Sequence, residues 1–200
     1  LVPGVEWSGD EVELSGLEPQ VGPRIRPVAT LDGMGWRITG LVERGQLVEA
    51  DALIGSYEQF GRDTQCAEVL RNATMWRAMR AAMSGRFDIA NACASESHEI
   101  AKTIEFPDAE LFYVVQRVAI NAGRDSLSSL EADVWTVARE YDSLPLMKCW
   151  TTWYDALIGK RADAECGLMQ LAAQRFRDLP GDVTYPTALA FVAMACVVLR

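Results

Sequence analysis

The feature that most constrains this chain is a phrase it writes repeatedly. "GWRITGLVERGQLVEA" (Gly35–Ala50) and "MWRAMRAAMSGRFDIA" (Met75–Ala90) share Trp-Arg, a Gly eight residues after the Arg, and an Ala five further on. With Gly45 and Gly85 as anchors, the next equivalents are Gly123 and Gly159, at spacings of forty, thirty-eight and thirty-six residues. Five residues after each glycine stands a small residue: Ala50, Ala90, Ser128 and Ala164. Nine before each stands an apolar one: Trp36, Trp76, Val114 and Trp150. The residue following each glycine is polar or basic: Gln46, Arg86, Arg124 and Lys160.

Helix pairing explains such a phrase. A glycine closing an apolar-periodic stretch adopts the left-handed conformation that ends a helix and satisfies its last carbonyls. Arg86, Arg124 and Lys160 then favour the carbonyl end of the helix dipole where the bend returns them to it. A small residue early in the returning helix lets the two backbones approach. The Trp is expected to fill the gap between adjacent hairpins. One hairpin cannot bury its own apolar face, so the unit has to recur and stack. The spacings lie near the tetratricopeptide period of ~34 and the HEAT range of ~40–47.

The expected fold is therefore all-α, a tetratricopeptide-like antiparallel helical-hairpin solenoid of about nine helices over residues 24–200. Successive helices are expected at 24–44, 46–62, 64–84, 86–104, 107–122, 126–141, 144–158, 161–178 and 183–200. Pro107 with Asp108 and Glu110 suits a helix start. Ser128 to Glu131 offers an S-x-x-E capping pattern, with Asp125 or Ser126 as alternative caps. "DLPGD" (Asp178–Asp182) is the clearest stop. Residues 1–23 are acidic, punctuated by Gly and Pro, and read as an irregular lead-in. The chain starts at Leu1 and reaches Arg200 within a helical pattern, so a piece of something longer, truncated at its C-terminal end, is expected.

Chemistry-bearing motifs are sparse. The net charge of −9 argues against a nucleic-acid surface and an anionic membrane. Cys66, Cys93, Cys149, Cys166 and Cys196 form no CxxC or Cys/His pair, so no zinc or redox site is expected, and they read as small core residues in a reducing cytosol. No signal-peptide pattern is seen, and "TALAFVAMACVVL" (Thr187–Leu199) is too short to span a bilayer. The sequon at Asn72 lies in a helical pattern and is weak as a glycosylation signal.

His98, the single histidine, lacks the second His of H-E-x-x-H and reads as structural. "DGMGWRI" (Asp32–Ile38) lacks the third glycine and the preceding strand of a dinucleotide fingerprint. "LIGKRA" (Leu157–Ala162) lacks the rest of a phosphate loop. Glu96 with Glu99, and Glu140 with Asp142, have the spacings of ordinary helix faces. We expect no catalytic, cofactor-binding or metal-binding residues. The best binding candidates are Arg77, Arg80 and Arg117 with Tyr113 and Tyr154, all on the first helix of their hairpins. They would line a concave, positive and aromatic groove for an acidic peptide or small anion. The plainer alternative is that they serve packing and ion pairs.

"MWRAMRAAMSGRFDIANACASESHEIA" (Met75–Ala101) resembles the helical-repeat region of large actinobacterial-type signalling proteins. In these, a STAND/AAA-like ATPase domain joins an adenylate or guanylate cyclase domain or a LuxR-type helix-turn-helix. Trp76, Arg77, Ala78, Ala81, Gly85, Arg86, Phe87 and Ala90 match the W-R-A-x-x-A-L-L-x-G-R-F-x-E-A phrase of those repeats, while Ala82, Met83 and Ile89 depart from it. Arg175–Leu199 resembles a second stretch of the same region. The resemblance implies a cytoplasmic, bacterial, non-catalytic interaction and regulatory scaffold without cofactors. Its partners would be ATPase, cyclase or helix-turn-helix domains of the same or another chain, with no direct nucleic-acid contact. The alternatives are a free-standing adaptor for peptide segments and a small-molecule sensor.

Overall fold

All four glycines of the repeated phrase have a left-handed backbone, with φ of 72, 72, 76 and 78° at Gly45, Gly85, Gly123 and Gly159. The computed structural model describes residues 26–200 apart from 174, 178, 180 and 183, and of residues 26–30 and 32 the backbone alone. The lead-in at 1–23 lies outside the described residues, as do Asp178 and Pro180 of "DLPGD". The described residues are helical, with no strand among them. They form α1 (Arg26–Glu43), α2 (Leu47–Asp63), α3 (Ala67–Met83), α4 (Phe87–Thr103), α5 (Ala109–Asn121), α6 (Glu131–Glu140), α7 (Pro145–Leu157), α8 (Arg161–Ala173) and α9 (Tyr185–Val198).

The chain divides into two units, Leu1–Ala50 and Asp51–Arg200. In the first, α1 turns at Gly45 into the start of α2. The Gly45 N–H bonds to Val42 (3.0 Å) and the Gln46 N–H to Leu41 (2.9 Å). Ile38, Leu41 and Ala50 are buried, but Trp36 is 78% exposed and fills no gap.

In the second unit, α3 packs on α4, α4 on α5, α5 on α6, α6 on α7, and α7 on both α8 and α9. The Gly85 bend satisfies the last carbonyls of α3 through Gly85 N–H to Ala82 (2.9 Å) and Arg86 N–H to Ala81 (2.9 Å). Gly159 repeats this with Ala156 (3.2 Å), and Lys160 with Asp155 (2.9 Å). Three bends between hairpins, α2–α3, α4–α5 and α8–α9, use the same pair of bonds with no glycine. Gln65 (φ 51°), Glu105 (φ 50°) and Arg175 (φ 51°) take the left-handed position. Cys66, Phe106 and Phe176 then donate back to Gly61, Ala101 and Leu171.

Two cores result. Between α3 and α4 the contact is made of small residues: Ala78, Ala81, Ala90, Cys93 and Ala94, closed by Ile120 of α5. Around α7 it is made of large ones: Val114, Val118, Leu130, Val134, Trp150, Trp153 and Tyr154. Close approach of α8 to α7 depends on Gly167, where a Cβ would collide with Thr152 Oγ1.

Several local expectations are corrected. The third bend enters a 3₁₀ turn (Asp125–Leu130) before α6, so Ser128 is exposed and Leu127 and Leu130 take the buried places. Ser128 does not cap α6: its Oγ donates to Asp125 (3.4 Å), and Ser126 Oγ donates to Asn121 Oδ1 (3.0 Å). α5 begins two residues after Pro107, because Asp108 is left-handed (φ 63°) and its carboxylate accepts the Tyr141 hydroxyl (2.6 Å) instead of capping. That hydrogen bond pushes the Tyr141 pKa up to about 12. α8 ends at Ala173, earlier than the expected 178, where Arg175 turns left-handed. Asp182 Oδ1 accepts both the N–H (2.8 Å) and the hydroxyl (2.7 Å) of Thr184 just before α9.

Candidate functional site

The helical period of α3 places Met75, Met79 and Met83 one turn apart on a single face. With Trp76 and Ala82 they form one wall of an open groove; Gln116, Ala119 and Ile120 of α5 form the other. Ala122 and Phe87 complete a volume of ≈ 570 Å³. The wall is soft and apolar, and its methionines can repack around different shapes. Gln116 spends its amide N–H on the Met75 carbonyl (2.9 Å), which ties α5 to α3 beneath the groove. The Trp76 ring meets Tyr57 of α2 edge-on, with centroids 5.0 Å apart, and stays half-buried.

One end of the groove is cationic. Phe87 is shared with a shallow basin formed by Gly85, Arg86, Asp88, Ile89 and Arg124. The Arg124 guanidinium lies over the Phe87 ring, 4.3 Å from its centroid. Among the described residues neither Arg86 nor Arg124 forms an ion pair, whereas most other arginines of α3–α8 do. Both arginines belong to the repeated phrase, each following its glycine. They line the basin that adjoins the groove at Phe87.

The five residues expected to form a positive aromatic groove do not form one. Arg80 is buried and grips Asp51 with two bonds, Nε to Oδ1 (2.7 Å) and Nη2 to Oδ2 (3.1 Å), and these raise its pKa. Arg77 meets Glu58 (3.3 Å), which also takes Arg62. These side chains line a mixed-charge cleft of ≈ 270 Å³ with Arg86 and Cys93. Arg117 pairs with Asp133 (3.3 Å) and leans over Tyr113 (5.4 Å). Tyr154 is fully buried and donates to the Leu127 carbonyl (3.0 Å); burial pushes its pKa up to about 12. The plainer alternative of packing and ion pairing describes all five.

His98 stacks flat on Tyr113 (centroids 4.1 Å apart) and its Nε2 bonds Glu110 (2.9 Å), a packed structural arrangement. Lys160 of "LIGKRA" is engaged by Glu131, and Asp32–Ile38 runs within α1. Asn72 accepts from Arg71 (2.7 Å) inside α3. All five cysteines are free. Cys93 and Cys149 are core residues as expected, but Cys166 and Cys196 are exposed. Among the described residues no three His, Cys, Asp or Glu converge as metal ligands, and no helix is long and apolar enough to cross a membrane.

This groove was not foreseen from the sequence, although Met75, Trp76, Met79 and Met83 stand on one face of a helix that the phrase already defined. An apolar stripe of that kind is indistinguishable from core without knowing which face the next hairpin covers. Compared with known protein families, characterised proteins and solved structures, the chain matches none.

Proposed function

We propose that this chain is a non-catalytic interaction module that holds an amphipathic helical segment of a protein partner in the groove between α3 and α5. The observation that carries this reading is the open apolar wall of Met75, Met79 and Met83, ending at the unpaired Arg86 and Arg124. A helix laid there buries apolar anchors one turn apart, while acidic residues at its end meet the two guanidinium groups. The likeness to signalling ATPases adds that the segment belongs to an ATPase, cyclase or helix-turn-helix domain, which the module restrains or positions. Free thiols throughout the chain fit a bacterial cytoplasm.

Selection of a displayed helical-peptide library against the 200-residue chain tests this. Selected peptides are expected to share apolar residues at i and i+4 flanked by Asp or Glu. They should lose binding to Met79→Glu while that variant keeps its helical circular dichroism. Peptides without this pattern, or equal binding to Met79→Glu, would refute the groove.

A further inference from the structure

The cleft between α2, α3 and α4 lies wholly within the second unit and runs against the charge of the chain. The whole sequence carries −9, yet in and beside this cleft two carboxylates serve four guanidinium groups. Asp51 is held by Arg80, and Glu58 is shared by Arg62 and Arg77. The fourth guanidinium, that of Arg86, meets no carboxylate among the described residues. Asp88, two residues on, lines the basin and not the cleft. Arg77 spends one N–H on Glu58 (3.3 Å), which leaves the rest of its fork for another acceptor.

The repeat shows how the surplus arises. Four residues after the bend glycine, the first and last phrases place carboxylates, Glu49 and Asp163, and the third places the buried Leu127. The second places Ile89, which is 48% exposed. A carboxylate there would stand at i+3 from Arg86, within pairing reach. The cleft has an apolar rim instead. Its floor is apolar as well, because Ile54, Ala81 and Cys93 are buried beneath it. Burial raises the pKa of the Cys93 thiol; Arg77 opposes the rise, Glu96 and Glu58 add to it, and Arg86 opposes it. Both guanidinium groups are therefore felt at one point of the floor. The mouth is open at Gly55, where a Cβ would meet nothing within 4 Å.

We propose that this cleft binds a small organic carboxylate with a short apolar body, the carboxylate held by Arg77 and Arg86 and the body laid on Ile54, Ala81 and Ile89. A guanidinium fork matches a carboxylate with paired donors. Three arginines and two carboxylates line the cleft, so one bound carboxylate balances the charge, and an amine would add to the surplus. A bare inorganic anion would leave Ile89 uncovered. The volume of ≈ 270 Å³ falls just below the ~300–1,000 Å³ typical of drug-sized ligands, which suits a small molecule rather than a peptide segment. Arg86 and Ile89 also line the basin, but the methionine wall and Arg124 take no part in the cleft.

Saturation-transfer NMR on the 200-residue chain tests the site, with butanoate, hexanoate and octanoate as probes and hexylamine as the control. At least one carboxylate should bind with a Kd of ~1 mM or tighter, a strength open to ligands of this size, and hexylamine should not bind. Arg77→Gln and Arg86→Gln should each weaken the carboxylate by ~10-fold or more, since each removes a charge-assisted hydrogen bond. Gly55→Leu sets a side chain in the open mouth while raising the helix propensity of α2. It should abolish binding without lowering the urea midpoint. Arg124→Gln and Met79→Glu, both outside the cleft, should leave the affinity unchanged. No carboxylate saturating below ~10 mM, equal binding of hexylamine, or undiminished binding to Gly55→Leu would overturn the proposal. Loss of binding in Arg124→Gln would put the anion in the basin and overturn it too. Groove peptides respond to Met79→Glu and this site to Gly55→Leu, so either reading can fail alone.

Discussion

The α3–α4 hairpin and the α7–α8 hairpin carry the same phrase and bury it differently. Trp76 and Trp150 occupy one repeat position, yet Trp76 is half-buried on the groove and Trp150 is 1% exposed. The neighbours decide. α7 is surrounded by α6, α8 and α9, and its residues from Cys149 to Ala156 are all buried. α3 meets α4 through alanines and leaves its methionine face open toward α5. A repeat thus fixes where the chain bends, while the number of helices around each copy determines which side chains become core and which become surface available for binding.

Truncating the two tryptophans is the strongest challenge to this contrast. Trp150→Ala should cost ~3–5 kcal/mol, the range for emptying a large buried aromatic site. Trp76→Ala should cost less than half of that in urea denaturation. Equal losses would erase the distinction between core hairpin and groove hairpin. Trp150 also buries its indole N–H without a hydrogen-bond partner. Trp150→Phe should therefore cost less than its lost volume alone implies.

The next position to compare is four residues before the bend, Ala81 in α3 and Asp155 in α7. Ala81 packs, whereas Asp155 is 5% exposed, and its Oδ1 has no hydrogen-bond partner. Burial first, then the charge of Asp163, raises the Asp155 pKa to about 6, with Glu131 adding to the rise and Lys160 opposing it. The folded-state pKa exceeds the ordinary carboxylate value, so the ionised form weakens the fold. That penalty is full above about pH 6, shrinks as pH falls through the folded pKa, and vanishes below the unfolded value near 3.8. Asp155→Asn should stabilise the chain at pH 7.5 by up to ~3 kcal/mol, and the gain should fade toward pH 4. A gain independent of pH would show that the carboxylate is not the source.

The hairpin fold was legible because a glycine that must be left-handed leaves a mark no other residue makes at that spacing. Helix ends followed to within a few residues. The charged groove was not legible, and the reason is distance along the chain. Arg80 finds Asp51 twenty-nine residues away, Arg77 finds Glu58 at nineteen, and Arg117 finds Asp133 at sixteen. Side chains that look free on a helical wheel are neutralised only once the hairpins stack. Tyr154 misled for a related reason: its hydroxyl has a carbonyl partner twenty-seven residues back, so an apparent surface tyrosine is a core one.

The bends supply the finest test, because the sequence announces only half of them. Gly85 and Gln65 hold the same left-handed backbone, at φ 72° and 51°, and the same pair of cap bonds, one within a hairpin and one between hairpins. A Cβ at Gly85 would meet nothing within 4 Å, so any cost of replacing it is conformational. Gly85→Val should destabilise by more than ~1 kcal/mol, since a β-branched residue resists this region most. Gln65→Gly runs the other way. It removes the Cβ strain of a non-glycine residue, a gain of ~1 kcal/mol or less, partly offset by the greater freedom of glycine in the unfolded chain. The net shift should be stabilising and small, read as a higher urea midpoint at unchanged slope. If Gln65→Gly destabilises instead, its side chain contributes to the bend between hairpins, and the two kinds of bend are not interchangeable parts of one repeat.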